Sequence, residues 1–422
     1  MRQAKPEDEA RDGISSDRAG ESMQGAGKAT STSSETPIPL HAWTPRALYI
    51  HIPFCTNKCF YCDFNSYVAE GQPIDAYLDA LEREMALTVE ALPPERIDTV
   101  FVGGGTPTVL TPAQMTRFLA SVRRHFPLAP DAEYTMEANP GTTDPEKLAA
   151  MREGGVNRIS FGAQTFDHEL LRTIGRIHQA EDVVRSIENA RAAGFANLSI
   201  DLMFGLPNQK LHHLEDSVDR ALSLDLPHYS LYSLKIEENT LFYRLYQRGE
   251  LPLPEEEEEN AMYQFLIDRL TEAGYRHYEI SNFARPGYES RHNRTYWRNE
   301  PYYGLGAGAH GYARGWRHSN VRGVQAYIDG AQRQLPRLET HPVTTREAME
   351  DFMMVGLRML EGVKQADFAA QFGSGRQIGA IFGETLDRLM EQGLLERIPS
   401  EEGYRLTARG VFLGNEVFGA FI

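Results

Sequence analysis

Between Leu48 and Tyr232 the chain alternates six times between short β-like runs and stretches with helical spacing. Leu48-Tyr49-Ile50-His51-Ile52 opens the series and ends at Pro53. Tyr77, Leu78, Leu81, Met85 and Val89 then recur at the spacing of one helix face. Further strands are expected at Thr99–Val102, Tyr134–Glu137, Arg158–Phe161, Leu198–Leu202 and Tyr229–Tyr232. Helices are expected near 112–125, 145–153, 179–193 and 212–224. Strands joined by whole helices cannot pair as hairpins, so they lie parallel with helices packed against the sheet. The predicted fold class is therefore α/β. Six units suit a partial (β/α)6 barrel better than the full eight-unit one.

The flanks read differently. Residues 1–42 hold no aromatic residue and are rich in Ser, Thr, Gly, Glu and Ala. Such a stretch buries too little apolar surface to offset its ordering entropy, so a disordered tail is expected. The barrel is expected over 43–285. The acidic run Glu255–Glu259 reads as a helix N-terminus, where the helix dipole favours negative charge. Residues 286–340 read as a connecting region. Over 341–422 a small helical or winged-helix domain is expected. Phe352, Met353, Leu357 and Leu360 suggest one helix there, and Leu386, Leu389 and Met390 another that stops at Gly393. Gly403–Thr407 looks like a short wing strand.

Hydrophobic residues make up 41% of the 422, enough for a real core. A net charge of −16 argues against a nucleic-acid surface, which needs clustered Lys and Arg. It also assigns the winged-helix piece to packing or protein interaction. No apolar run approaches the ~20 residues of a membrane span, so no stable membrane anchor is expected. Neither a secretory signal nor a transit peptide is read at the N-terminus, where Glu7, Asp8 and Glu9 come early. A cytoplasmic location follows as the expectation.

All three cysteines lie within eight residues: Cys55-Thr56-Asn57-Lys58-Cys59-Phe60-Tyr61-Cys62. A disulfide framework would use an even, dispersed set, so the cluster points to a metal in a reducing compartment. It follows the first strand directly and so falls on the face where βα folds gather their active sites. Three thiolates can hold three irons of a four-iron cube, leaving the fourth open. Zinc is the competing metal, but structural zinc takes four protein ligands and no distant histidine signals itself.

The C-x3-C-x2-C spacing, with an aromatic before the third cysteine, resembles the radical S-adenosylmethionine (SAM) superfamily. That resemblance implies a [4Fe–4S] cluster on Cys55, Cys59 and Cys62, and SAM chelated by the open iron. It also implies an electron donor. Gly103-Gly104-Gly105-Thr106-Pro107 follows the second strand and matches the family segment beside the methionine amino group. Glu137 matches the carboxylate that contacts the SAM ribose. Gln164, Arg176 and Asp201 match polar SAM contacts, and Tyr49 and Tyr61 match aromatic contacts near the cluster. His310 is carried over with this set.

The resemblance narrows to the oxygen-independent coproporphyrinogen III oxidase group over nearly everything after residue 45. LYIHIPFCTNKCFYCDFN, GGGTPT, MEANPG, RISFGAQTF, GRIH and DLMFGLP all match, and the group also ends in a small C-terminal domain. Within the group, the true oxidase carries a fourth cysteine two residues after the third. Phe64 stands there in this chain, which resembles the HemW family of haem chaperones. So do His292-Asn293-Arg294-Thr295-Tyr296-Trp297, an HNxxYW motif, and the segment Tyr303–Gly311. The resemblance implies haem as cargo, haem-acceptor proteins as partners and no oxidase activity, and leaves room for transient membrane contact. The alternative reading is the oxidase itself, decarboxylating propionates through a deoxyadenosyl radical. A zinc-containing interaction protein is a third class.

Imidazole is a common axial ligand of haem iron, and Tyr and Trp offer broad faces to a macrocycle. On composition alone, His292, Tyr296 and Trp297 would simply pack and hydrogen-bond. The resemblance turns the motif toward haem, less so His292 as the iron ligand.

Overall fold

The computed structural model describes residues 44–422, so the tail expected over 1–42 lies outside the described residues. All six expected strands form: β1 Ala47–Ile52, β2 Ile97–Gly104, β3 Leu128–Ala138, β4 Arg158–Gln164, β5 Asn197–Phe204 and β6 His228–Ser233. Each pairs parallel with the next. The helices between them include Ile74–Ala91, Pro112–His125, Pro145–Glu153, Ala180–Ala192 and Leu211–Ser223, close to where periodicity put them, and a short one, His168–Thr173, that was not expected. Their ends follow local chemistry. Thr111 and Gln114 form a reciprocal capping box with Pro112 in the first turn, and the Asp144 carboxylate accepts from the Lys147 N–H at 2.7 Å.

Successive strand residues point to opposite faces, and this parity builds both core and site. On β2, Val100 and Val102 are wholly buried in one large apolar cluster with Leu81, Met115 and Leu119 from the helices. Thr99, Phe101 and Gly103 take the other face, toward the barrel interior. The interior is polar on its neighbours too, with Glu137 opposite Ser160 and Gly162 opposite Asp201.

The sheet does not stop at β6. Two short strands, β7 Arg276–Glu279 and β8 Asn282–Ala284, extend it antiparallel beyond β6. On the other side β9 Tyr302–Leu305 runs parallel to β1, followed by antiparallel β10 His310–Ala313, β11 Trp316–Asn320 and β12 Arg337–Pro342. The result is one twelve-stranded sheet with two free edges, hence an open barrel. The stretch read as a connecting region thus supplies strands to the main sheet. Segments such as Tyr-Tyr-Gly-Leu and His-Gly-Tyr-Ala are too short and mixed in polarity to show a period of two. Helix Arg291–Trp297 lies in the same stretch.

The acidic run begins helix Glu256–Glu272, with four glutamates in its first turn, as the dipole favours. Beyond β12, helices Thr345–Gly356, Gln365–Phe372 and Ile378–Glu391 pack with a three-stranded sheet of Val363–Lys364, Gly403–Leu406 and Leu395–Ile398. Phe352, Phe368, Phe372 and Phe382 fill a core of their own there. One expectation fails: Leu357 and Leu360 are not inside the first helix. The helix ends at Gly356, and Met359 leaves to bridge to Glu279. No helix among the described residues is long and apolar enough to cross a membrane.

Candidate cluster and ligand site

The cysteine loop leaves β1 at Pro53 and is braced on every side. Phe54–Cys55 pairs with Tyr67–Val68. Lys58 Nζ crosses the loop to the Phe64 carbonyl and Ser66 Oγ, both at 2.9 Å. Asn57 donates to the Gly175 carbonyl at 2.7 Å, and Asn65 to the Ala307 carbonyl at 2.9 Å. All three cysteines are unbridged and half-buried. Burial pushes the Cys55 and Cys62 thiols up, so a bound metal would be what keeps them thiolates. Among the described residues no three His, Cys, Asp or Glu side chains gather tightly enough to hold a single metal ion. The fit to a cluster rests on donor chemistry: three soft ligands on one tethered loop, all three acting on the guanidinium of Arg176.

Next to this loop the glycines of 103–105 fill a place where no side chain fits. A Cβ on Gly103 would stand 2.5 Å from Glu137 Oε2, one on Gly104 2.4 Å from the His51 ring, and one on Gly105 2.5 Å from the Phe54 carbonyl oxygen. Gly104 also has φ +108. Its N–H donates to Glu137 Oε2 at 3.2 Å. Burial, and then the nearby Asp201, push the Glu137 carboxyl up to about 7. Burial likewise raises Asp201, against hydrogen bonds from Ser230 and Ser160.

A polar chain connects Arg176 to the cysteine loop. Arg176 Nη1 donates to Asn139 Oδ1 at 2.8 Å, Asn139 Nδ2 to Thr106 Oγ1 at 2.9 Å, and Thr106 Oγ1 to Cys55 Sγ at 3.5 Å. Arg176 also holds the Gly162 carbonyl at 3.1 Å, and its Nε has no protein partner. Tyr61 lies against Arg176. Gln164 sits at the end of β4 with φ 66, a left-handed conformation unusual for a non-glycine residue. Asn139 was not singled out from the sequence. Its signal was there in Met-Glu-Ala-Asn-Pro, two residues past Glu137 at the mouth of the barrel.

An open cavity of ≈ 610 Å³ lies beside the cysteine loop. Tyr49, Gly104, Glu137 and His310 line it, and so do Phe64, Phe101, Tyr296 and Tyr302. Gly105, Thr106, Arg176, Gln164, Asp201 and Tyr61 stand around the chain just described, outside this lining. The HNxxYW motif is divided by its helix. Tyr296 reaches the cavity. His292 is fully buried beneath it, its Nδ1 at 2.9 Å from Thr99 Oγ1 and its Nε2 at 2.9 Å from the Tyr296 hydroxyl. Burial and Arg158 push this imidazole down to about 3. Both ring nitrogens are engaged, so this geometry does not present His292 as an axial ligand. Trp297 turns the other way, under the Arg358 guanidinium at 4.5 Å and beside Met359. The structure therefore does not bring the three motif residues together on one ligand.

Comparison with known proteins shows which family the chain belongs to. Residues 49–221 match the radical SAM superfamily model, and residues 343–413 match the HemN C-terminal domain. Heme chaperone HemW of Bacillus subtilis is 48% identical over 379 residues, covering 89% of this chain and 99% of that protein. The chain belongs to the HemW family. HemW of Escherichia coli is 36% identical over 386 residues, covering 90% of this chain and 98% of that one. A mouse protein, radical S-adenosyl methionine domain-containing protein 1, mitochondrial, is 34% identical over 372 residues, covering 86% and 84%. The solved coproporphyrinogen III oxidase HemN of Escherichia coli superposes with a TM-score of 0.78 at 25% identity, over 91% of each chain. This chain therefore shares the oxidase's fold.

Proposed function

We propose that this protein is a haem chaperone of the HemW kind, binding haem and passing it to haem-requiring acceptor proteins. The observation that carries the reading is the 48% identity to a heme chaperone over 99% of that protein's length. Position 64 supports it: Phe64 stands where the oxidase has its fourth cysteine, and it is 61% exposed at the cavity wall.

Cys55, Cys59 and Cys62 would hold a [4Fe–4S] cluster. Glu137, Gly104, Gly105, Thr106, Gln164, Arg176 and Asp201 would position SAM, with Tyr49, Tyr61 and His310 beside them. When bound, such a cluster supplies one electron at an open iron that SAM can chelate. The protein's own part is positional. The glycines let backbone approach the ligand, and the Arg176–Asn139–Thr106 chain holds polar groups toward Cys55. Haem would lie in the cavity against Tyr49, Phe101, Tyr296 and Tyr302, whose flat faces suit a macrocycle. An electron donor, haem-acceptor proteins and a cytoplasmic setting belong to the same proposal, with no stable membrane anchor. The test is a haem titration and a coproporphyrinogen III turnover assay on one anaerobically reconstituted preparation. Binding without decarboxylation is expected. Protoporphyrinogen IX production would restore the oxidase.

A further inference from the structure

The Thr99–His292–Tyr296 contact can be resolved by counting protons. His292 is neutral, because burial holds its pKa far below any working pH, so the ring carries one N–H. Two arrangements satisfy the two 2.9 Å contacts. In the first, Nδ1–H donates to Thr99 and the Tyr296 hydroxyl donates to Nε2. The Thr99 hydroxyl proton is then left without an acceptor among the described residues, at a side chain only 4% exposed. In the second, Thr99 donates to Nδ1 and Nε2–H donates to the Tyr296 oxygen. The Thr99 and His292 protons are then both used, and an orphan at the fully buried end of the contact is the costlier fault. The second arrangement leaves the unused hydroxyl proton on Tyr296, a half-buried side chain that lines the cavity.

A donor so fixed needs an acceptor. The cavity's rim says which kind. Lys58, Arg322 and His310 all line it and are exposed. Lys58 spends its N–H groups on the Phe64 and Ser66 carbonyls and Ser66 Oγ, whereas Arg322 forms no ion pair with a carboxylate among the described residues, although the chain's net charge is −16. Burial and Arg322 hold His310 toward its neutral form, and Glu339 opposes them. Asp63 and Glu137 are the carboxylates of the same wall. One unpaired guanidinium and one positioned O–H thus face a single aromatic-lined space.

We infer that Tyr296 is the cavity's hydrogen-bond donor toward a carboxylate of the bound porphyrin, its hydroxyl oriented by His292, with Arg322 receiving the ligand's charge at the rim. This rests on the haem reading above. The methionyl carboxylate of SAM offers the same chemistry, so the test separates the two sources. Haem, haem dimethyl ester and SAM are each titrated into the reconstituted wild type and into Tyr296→Phe, which keeps the ring and loses the hydroxyl. Haem affinity should fall about tenfold in the variant, the usual scale for a hydrogen bond to a charged group. Affinity for the diester, which lacks both carboxylates, should change less than about twofold, and SAM affinity likewise. Arg322→Gln, an exposed change that leaves the core untouched, should give the same split between haem and its diester. Equal losses for haem and diester, or no loss for either, would overturn the inference. So would a loss confined to SAM, which would make that carboxylate the partner. A wild type that binds no haem would instead overturn the haem reading itself.

Discussion

At Glu137 a half-buried carboxylate accepts from the Gly104 N–H and sits near Asp201, with its pKa raised to about 7. Because its folded value lies above the usual carboxylate range, the proton is held more tightly in the folded state. Any stability it contributes is present at low pH and is lost as pH rises through about 7. Ligand binding runs the other way if the ionised form is what accepts from a ribose hydroxyl. SAM affinity, measured calorimetrically on the reconstituted protein, should therefore drop as pH is lowered from about 8 to about 6. Glu137→Ala should weaken SAM about tenfold, abolish that pH dependence and leave iron and sulfide content unchanged. A flat pH profile in the wild type would remove Glu137 from the ligand. The site's residues were legible in proportion to how local their signals are. Three cysteines in eight residues and three successive glycines announce themselves. Asn139, two residues past Glu137, carried a local signal, whereas Lys58 acts through contacts that only the folded loop creates.

Among the elements, helix Arg291–Trp297 joins two parts of the molecule. Glu133 on β3 accepts from the N–H groups of both Arg291 and His292 at 3.0 Å, which fastens the helix start to the barrel. At its far end Arg294 and Arg298 reach Glu361, at 3.4 and 3.9 Å, and Trp297 packs under Arg358. Trp297→Ala should thus act on stability, costing about 2–4 kcal/mol as a large-to-small change in a packed joint. Haem affinity should move little; a large loss of haem with an unchanged melting temperature would place Trp297 on the ligand after all. The Gly103–Gly105 turn makes a second prediction at this scale. In Gly105→Ala the new methyl would meet the Phe54 backbone at 2.5 Å, and backbone cannot swing aside. The cysteine loop should shift, at a cost of about 1–3 kcal/mol, and iron content after reconstitution should fall. Helix ends and the six parallel strands were readable because caps and apolar periodicity are local. Strands β7 to β12 were not, because they are short and gain their hydrogen bonds from distant partners.

On the scale of the whole molecule, the expected α/β partial barrel is what forms, and its open sheet leaves the cavity accessible beside the cysteine loop. Glu137, read as a SAM contact, and Tyr296, read as a haem contact, line that one cavity. Two ligands that need the same space must be coupled, and by linkage each weakens the other equally. Adding SAM should raise the apparent Kd for haem, and adding haem should raise that for SAM by the same factor. Independent titrations would mean that haem binds elsewhere. The central claim, that this chain carries haem and does not make its precursor, is tested most directly by one preparation assayed both ways. The anaerobically reconstituted protein is titrated with haem, then given coproporphyrinogen III, SAM and a one-electron reductant. The account predicts a saturable haem Soret band and no protoporphyrinogen IX. Sustained protoporphyrinogen IX production, with no haem bound, would contradict it.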